Sequence, residues 1–467
     1  MTDDKGPDGR PRLHRLKTGP WERNVALTRM GVSAGANIAA HEFINLFRSV
    51  GARDAASRKF YREQAEKLAD QLGRLKGSVM KVGQMLSLYG QYFLPPEAVD
   101  VLAGLQDDTP AVPWPSLAPV LQRALGRSRL AELDVDQQAL ASASLGQVHR
   151  ARRRSDGAEL VLKIQYPGVA DAIESDVATL SRLIAVTRVA PKGLDLSPVY
   201  AEVKEMLHRE VDYLAEREHT ERYGKLLAGD PRYVVPRVYP EYCSDQVLAL
   251  SCETGTHVKS EGVQALPQAR RNALAEAAFD LFLREFFEWG MVQTDPHFGN
   301  YRIRISGGEG GARSPGSIDR IVLFDFGATR VFGRGFIDSY REMVRGALAH
   351  DRAMILRGIH GIGLAHADFP EDVKTSLASL CELIVEPFAG GAYDFGASDL
   401  PRRVTAKIGR GALTRWFRIP PREIVFLHRR LAGVFILMAT LRAAYDARPT
   451  LLQRLGHGRA ASALPAA

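Results

Sequence analysis

An aspartate at 295, an asparagine five residues on at 300, and a second aspartate at 325 closing an apolar run before Phe326-Gly327 constrain this chain more than any other feature. Transfer of a γ-phosphoryl group asks little covalent work of a protein; the acceptor must be positioned and the charge neutralised by metal ions. Asp295 is the candidate acceptor-positioner or base, Asn300 a metal ligand, and Asp325 the ligand that bridges Mg²⁺ to the β- and γ-phosphates. Asp-Pro and Phe-Gly are also ordinary turn punctuation. The chain carries a second such triplet, Asp394-Phe395-Gly396, but with no apolar strand before it and no Asp…Asn pair upstream it reads as a loop.

Composition sets the frame. With 467 residues, 45% hydrophobic and 25% charged, the chain can bury a large core, and its length suggests two or three lobes. Cys243, Cys252 and Cys381 are far apart and lack metal-ligand spacing, which argues for a reducing compartment without a disulfide framework. The first residues are polar, with Arg10, Arg12, Arg15 and Lys17 and no apolar core of a secretory signal. The longest apolar stretch, Leu431 to Thr440, is about half the length of a membrane span. Residues 401–467 carry 13 Lys+Arg against Glu423 and Asp446, an excess of +11 that exceeds the whole chain's +8. Such a tail is either a solvated helix face or a surface for anionic lipid or nucleic acid. Trp416-Phe417 between Arg415 and Arg418 favours a headgroup layer, and no nucleic-acid-binding signature accompanies it.

Along the chain, residues 1–25 read as disordered and 26–132 as a helical extension. The segment 72–90 is a helix with Leu72, Leu75, Val79, Val82, Leu86 and Tyr89 on one face and Gly77, Lys81, Gln84 and Leu88 on the other. Residues 133–255 read as a nucleotide lobe. Ala141-Ser142-Ala143-Ser144-Leu145-Gly146-Gln147-Val148 stands where a kinase has its phosphate lid, and Asp156-Gly157 closes a hairpin into Leu160-Val161-Leu162-Lys163-Ile164. Lys163, inside an apolar strand, needs an acid. The helix after Ser197-Pro198 offers Glu210, Asp212 and Glu216, of which Glu216 is the expected partner; Glu210 and Asp212 are then left to meet another cation. Val247–Leu250 followed by Glu253 reads as the strand and hinge against which adenine packs.

Residues 256–467 form the second lobe, entered by an amphipathic helix from about Pro267 to Trp289. After Gly327 the chain runs directly into a helix near Phe336, with no Ala-Pro-Glu triplet and little room for an activation segment. A peptide-docking platform is not expected. The fold expected is α+β and bilobal, protein-kinase-like, with the helical extension packed over the active site.

Lys81-Val82-Gly83-Gln84, the lid at 141–149, Val161-Leu162-Lys163-Ile164-Gln165, Glu210-Val211-Asp212, Asp295-Pro296-His297-Phe298-Gly299-Asn300 and Asp325-Phe326-Gly327 together resemble the UbiB family, the AarF-domain atypical kinases linked to coenzyme Q (ubiquinone) biosynthesis. The resemblance covers roughly residues 70–440. It implies that the Lys-x-Gly-Gln helix lies where a protein kinase would bind its peptide, with Lys81 paired to Glu210 and Asp212 and with Gln84 as a further regulatory residue. It also implies ATP and Mg²⁺ as cofactors, and ATPase activity stimulated by lipids and phenolic quinone precursors. The expected partners are quinone-biosynthesis proteins and an anionic membrane surface, with the protein cytoplasmic and peripheral to the inner membrane. Two features depart from the pattern: the lid is Ala-Ser-Ala-Ser rather than all alanine, and the membrane spans that many members carry are absent. A nucleotide-binding pseudokinase scaffold and a small-molecule phosphotransferase of the aminoglycoside or choline kinase type stay open as alternatives.

Overall fold

The structure is a computed structural model and describes residues 112–143, 145–187, 197–307, 317–366, 368–412 and 420–456. Lys81, Gln84, the helix at 72–90 and Ser144 lie outside the described residues. Two compact units divide the chain. The first runs to Arg217 and includes Val238–Cys252; the second comprises Glu218–Arg237 and everything from Glu253 onward.

The first unit opens with α1, Trp114–Ala131, started by Pro113 and burying Leu117, Val120, Leu121 and Leu125 on one face. Its four-stranded antiparallel sheet has the order β1 (Leu133–Ser142), β2 (Gly146–Arg153), β3 (Glu159–Gln165), β5 (Val247–Ser251). The β2–β3 turn depends on Gly157 at φ +71, a left-handed conformation that glycine adopts without strain. Arg153 closes the same turn with two bonds to Asp156, at 3.0 and 2.7 Å. In β3, Leu160, Leu162 and Ile164 are fully buried, and Val161 and Lys163 alternate with them on the other face.

Beyond β3 come α2 (Val169–Thr187), α3 (Ser197–Val211) and α4 (Tyr213–Leu227), and the division between units falls within α4. The acidic segment expected as one helix is two. The chain breaks at Asp212, whose carboxylate accepts the Ala215 amide at 2.9 Å, so Asp212 caps α4 while Glu210 lies in the last turn of α3. Tyr223 and Leu227 of α4, with Tyr233 of β4 (Tyr233–Val234), pack into the second unit's core, from which a boundary at 255 separates them.

In the second unit, α5 (Gln268–Leu283) is all but surrounded by core. The expected helix to Trp289 instead changes register: Arg284–Trp289 is a π-helix, ended by Gly290 at φ +62. Such insertions often accompany functional sites. The strand β6 (Met291–Gln293) then pairs with β9 (Thr329–Val331), and β7 (Tyr301–Arg304) pairs antiparallel with β8 (Arg320–Leu323), which β4 flanks in parallel. Helices α6 (Arg334–Ala349), α7 (Arg352–Gly361), α8 (Glu371–Ile384), α9 (Leu400–Ala412), α10 (Arg422–Thr440) and α11 (Arg448–Gly456) complete it. The second Asp-Phe-Gly triplet is not wholly loop: Tyr393–Asp394 pairs with Ala444–Tyr445, and Phe395 is buried.

Candidate functional site

The first unit gathers the lid and the lysine. Val148 lies directly across from Lys163 in the β2–β3 register, and Ala141 across from Val148 in β1–β2. The lid closes through the Ala143 amide bonding the Gly146 carbonyl at 2.9 Å, with Leu145 buried beneath it. Gly146 has a packing reason of its own, since a Cβ there would press on the Ile164 carbonyl and lie 2.8 Å from the Tyr213 hydroxyl. Lys163 Nζ meets both carboxylate oxygens of Glu216, at 2.9 and 2.8 Å. The carboxylate is nearly fully buried, and the ammonium lies 5.1 Å from the centre of the Tyr213 ring.

The second unit gathers the candidate oxygen ligands. Because Tyr301 pairs with Leu323 in the β7–β8 register, Asn300 falls opposite Phe324, and the Phe324 amide bonds the Asn300 carbonyl at 3.1 Å. Asp325 is therefore brought next to the Asn300 strand end. The Asn300 amide nitrogen donates to the Asp295 carbonyl and carboxylate, both at 3.2 Å, which turns its side-chain oxygen away from that carboxylate. Asp325 accepts the Gly327 amide at 2.9 Å. Asp394 makes the same local bond to Gly396, so the turn alone does not distinguish the two triplets; the asparagine beside Asp325 does. Glu253 is held by Arg304 at 2.7 Å, an ion pair that pins the hinge segment to β7.

Several residues at the site carry no motif. Arg429 of α10 donates to Asp295 at 2.8 Å. Its neighbour Arg430 is buried and reaches Glu285 of the π-helix through Nε at 3.2 Å and Nη2 at 3.0 Å, and also the Tyr301 hydroxyl. Burial pushes the Glu285 carboxyl up, against the pull of Arg430 and the Tyr223 hydroxyl that donates to it at 3.0 Å. Gln293 completes the chain by donating to the Asp325 carbonyl at 3.2 Å. By sequence, Arg429 and Arg430 counted only toward a basic tail. Their signal is two cations in the middle of a largely apolar helix, where each needs an acid.

Could these groups hold Mg²⁺? Among the described residues no three His, Cys, Asp or Glu side chains form a cluster able to hold a metal. Mg²⁺ prefers hard oxygen ligands and retains water or phosphate in several positions. Asp325 and Asn300 have side-chain oxygens of that kind, close together at the β7–β8 hairpin, and would supply two such ligands.

Comparisons with known proteins point to one family. The family model described as ABC1 atypical kinase-like domain matches residues 104–359. Atypical kinase COQ8B, mitochondrial, of Rattus norvegicus is 33% identical over 383 residues, covering 81% of this chain and 69% of that protein. Atypical kinase COQ8, mitochondrial, of Saccharomyces cerevisiae is 30% identical over 383 residues, covering 81% of this chain and 74% of that protein. A solved Mycobacterium tuberculosis structure, the complex of Rv3197 with erythromycin, superposes with a TM-score of 0.58 at 24% identity, over 88% of this chain and 100% of that one, a likeness of fold. With a kinase-like α+β fold and relatives of this kind, the chain belongs to the ABC1 (UbiB) family of atypical kinases and is an enzyme of the phosphotransferase class.

Proposed function

We propose that the protein binds ATP with Mg²⁺ and supports ubiquinone biosynthesis, transferring the γ-phosphoryl group to a small lipid-like molecule or to water rather than to proteins. The observation that carries this reading is the joined set Asp295, Asn300 and Asp325 in one unit, with the Lys163–Glu216 pair in the other. In this reading Lys163 neutralises the α- and β-phosphates, the lid residues Ala141–Gly146 cover them, and Glu253 belongs to the adenine side. Asn300 and Asp325 would hold the metal, which would supply neutralisation of the phosphate charge. Asp295 orients the acceptor. The short path from Gly327 to α6 at Arg334 leaves little chain for a peptide platform, which supports a small acceptor. A complete set of polar residues weighs against a pseudokinase scaffold.

The reading extends to peripheral contact with an anionic membrane, where a lipid-soluble phenol would be met. Among the described residues no helix is long and apolar enough to cross a membrane. The basic excess of residues 401–467 supports the surface contact only in part, because much of it is paired within the protein: Arg403 with Glu386 and Asp399, Arg454 with Asp280 and Glu288, and Arg429 and Arg430 as described.

The test is nucleotide binding and turnover by purified protein. Asp325→Asn is expected to lose metal-dependent ATP binding, whereas Asp295→Asn keeps binding and loses turnover. Unaltered turnover in Asp295→Asn would sink the assignment.

A further inference from the structure

We infer that α10 is the positioning element for Asp295, and that Arg429 is its positioning residue. The inference rests on the reading of Asp295 as the acceptor-orienting carboxylate. Three observations converge on it. The two Asp295 oxygens are held separately, Oδ1 by Arg429 at 2.8 Å and Oδ2 by the Asn300 amide at 3.2 Å, so the plane of the carboxylate is defined from two elements. One helical turn beyond Arg429 stands Gly433, where a Cβ would run into Pro296; the α10 backbone thus lies directly against the residue after Asp295. Arg430 faces inward to Glu285 and Tyr301, so α10 cannot rotate about its axis without breaking a buried ion pair.

Adjacent arginines on a helix point roughly 100° apart. That offset lets one anchor the helix to the core while the other reaches the loop. A carboxylate held by a guanidinium on one oxygen and a side-chain amide on the other is a well-oriented one. Asp295 therefore works by aligning the acceptor oxygen, which suits a loose phosphoryl-transfer transition state carrying little nucleophile bonding. Arg429 acts through Asp295 and serves turnover without serving ATP affinity.

The experiment compares Arg429→Ala, Arg429→Lys and wild type for kcat, Mg-ATP affinity, and rescue by millimolar guanidinium. Arg429→Ala is expected to lose kcat by ~100-fold, the scale of a misplaced catalytic group. Its Mg-ATP affinity should stay within about threefold, and guanidinium should restore part of the rate. Arg429→Lys should fall between, having the charge without the planar fork. Wild-type kcat in Arg429→Ala overturns the inference while leaving the function intact. So does a loss that guanidinium does not relieve or that ATP affinity follows, since that is the behaviour of a structural ion pair. Should Arg429→Ala not fold, Arg429→Lys decides: reduced kcat with unchanged ATP affinity supports the role, and equal kcat overturns it. A wild type without metal-dependent turnover overturns the reading of Asp295 and this inference together.

Discussion

Lys163 and Glu216 come from a strand and a helix 53 residues apart, yet the ammonium is centred on both carboxylate oxygens at 2.9 and 2.8 Å within one unit. Strand alternation puts Lys163 opposite the buried Leu162 and Ile164, and the Asp212 cap aims the first turn of α4 so that Glu216 meets it. Removing one partner leaves the other charge buried. Glu216→Gln is expected to cost about 3–5 kcal/mol of stability, whereas Lys163→Met combined with Glu216→Leu costs less. Urea unfolding of the three proteins checks this ordering. Equal losses in the single and double variants would contradict it.

The lid makes a second prediction, in which two small changes act in opposite places. Ala141→Gly should alter nucleotide affinity and the ATP/ADP preference with little change in stability, because glycine opens backbone conformations that alanine disfavours near phosphates. Gly146→Ala should instead destabilise, by about 1–3 kcal/mol, as its Cβ presses on the Ile164 carbonyl of β3 and on the Tyr213 hydroxyl. Thermal unfolding and nucleotide titration of both variants separate the effects.

What the sequence disclosed follows the range of the interactions involved. The Lys163–Glu216 contact was legible because a lysine in an apolar strand has few ways to be satisfied, and the neighbourhood of Asn300 and Asp325 because both flank one hairpin. The break at Asp212 was missed, since aspartate at helical spacing reads the same inside a helix as at its cap until the Ala215 amide is located. The π-helix at Arg284–Trp289 was also missed, because one extra residue per turn leaves no mark in an apolar stretch such as Phe286-Phe287. Arg429 and Arg430 were miscast as surface charge because their acids, Asp295 and Glu285, lie 134 and 145 residues away.

His428, beside these arginines, links stability to pH. Its ring packs edge-on to Tyr340, 6.0 Å between centres, and burial lowers its pKa to about 4. The unfolded chain protonates this ring near pH 6.5, so between about 6.5 and 4 the unfolded state binds the extra proton and stability falls as the pH drops. The full difference is about 3 kcal/mol across that window. Replacing His428 by Gln should flatten the decline between pH 7 and 4.5 in urea titrations. An unchanged slope would mean that the ring gains its proton without unfolding.

The last prediction separates basic residues that hold the fold from those that could meet a membrane. Arg454 bonds Asp280 and Glu288, each at 2.7 Å, and joins α11 to α5 and the π-helix; Asp280 is nearly fully buried. Arg454→Gln leaves that carboxylate with Arg232 alone, at 2.6 Å, and Glu288 without this partner, and should lower the melting temperature without changing capture by vesicles. Lys407, on α9, pairs with no acid among the described residues. A basic residue near an anionic leaflet contributes about 1 kcal/mol, so Lys407→Gln should weaken capture by roughly fivefold while leaving stability alone. Co-sedimentation with phosphatidylglycerol-rich vesicles at low salt measures the difference, and raising the salt should abolish it. Equal capture by neutral and anionic vesicles would assign the basic residues of this tail to packing within the protein.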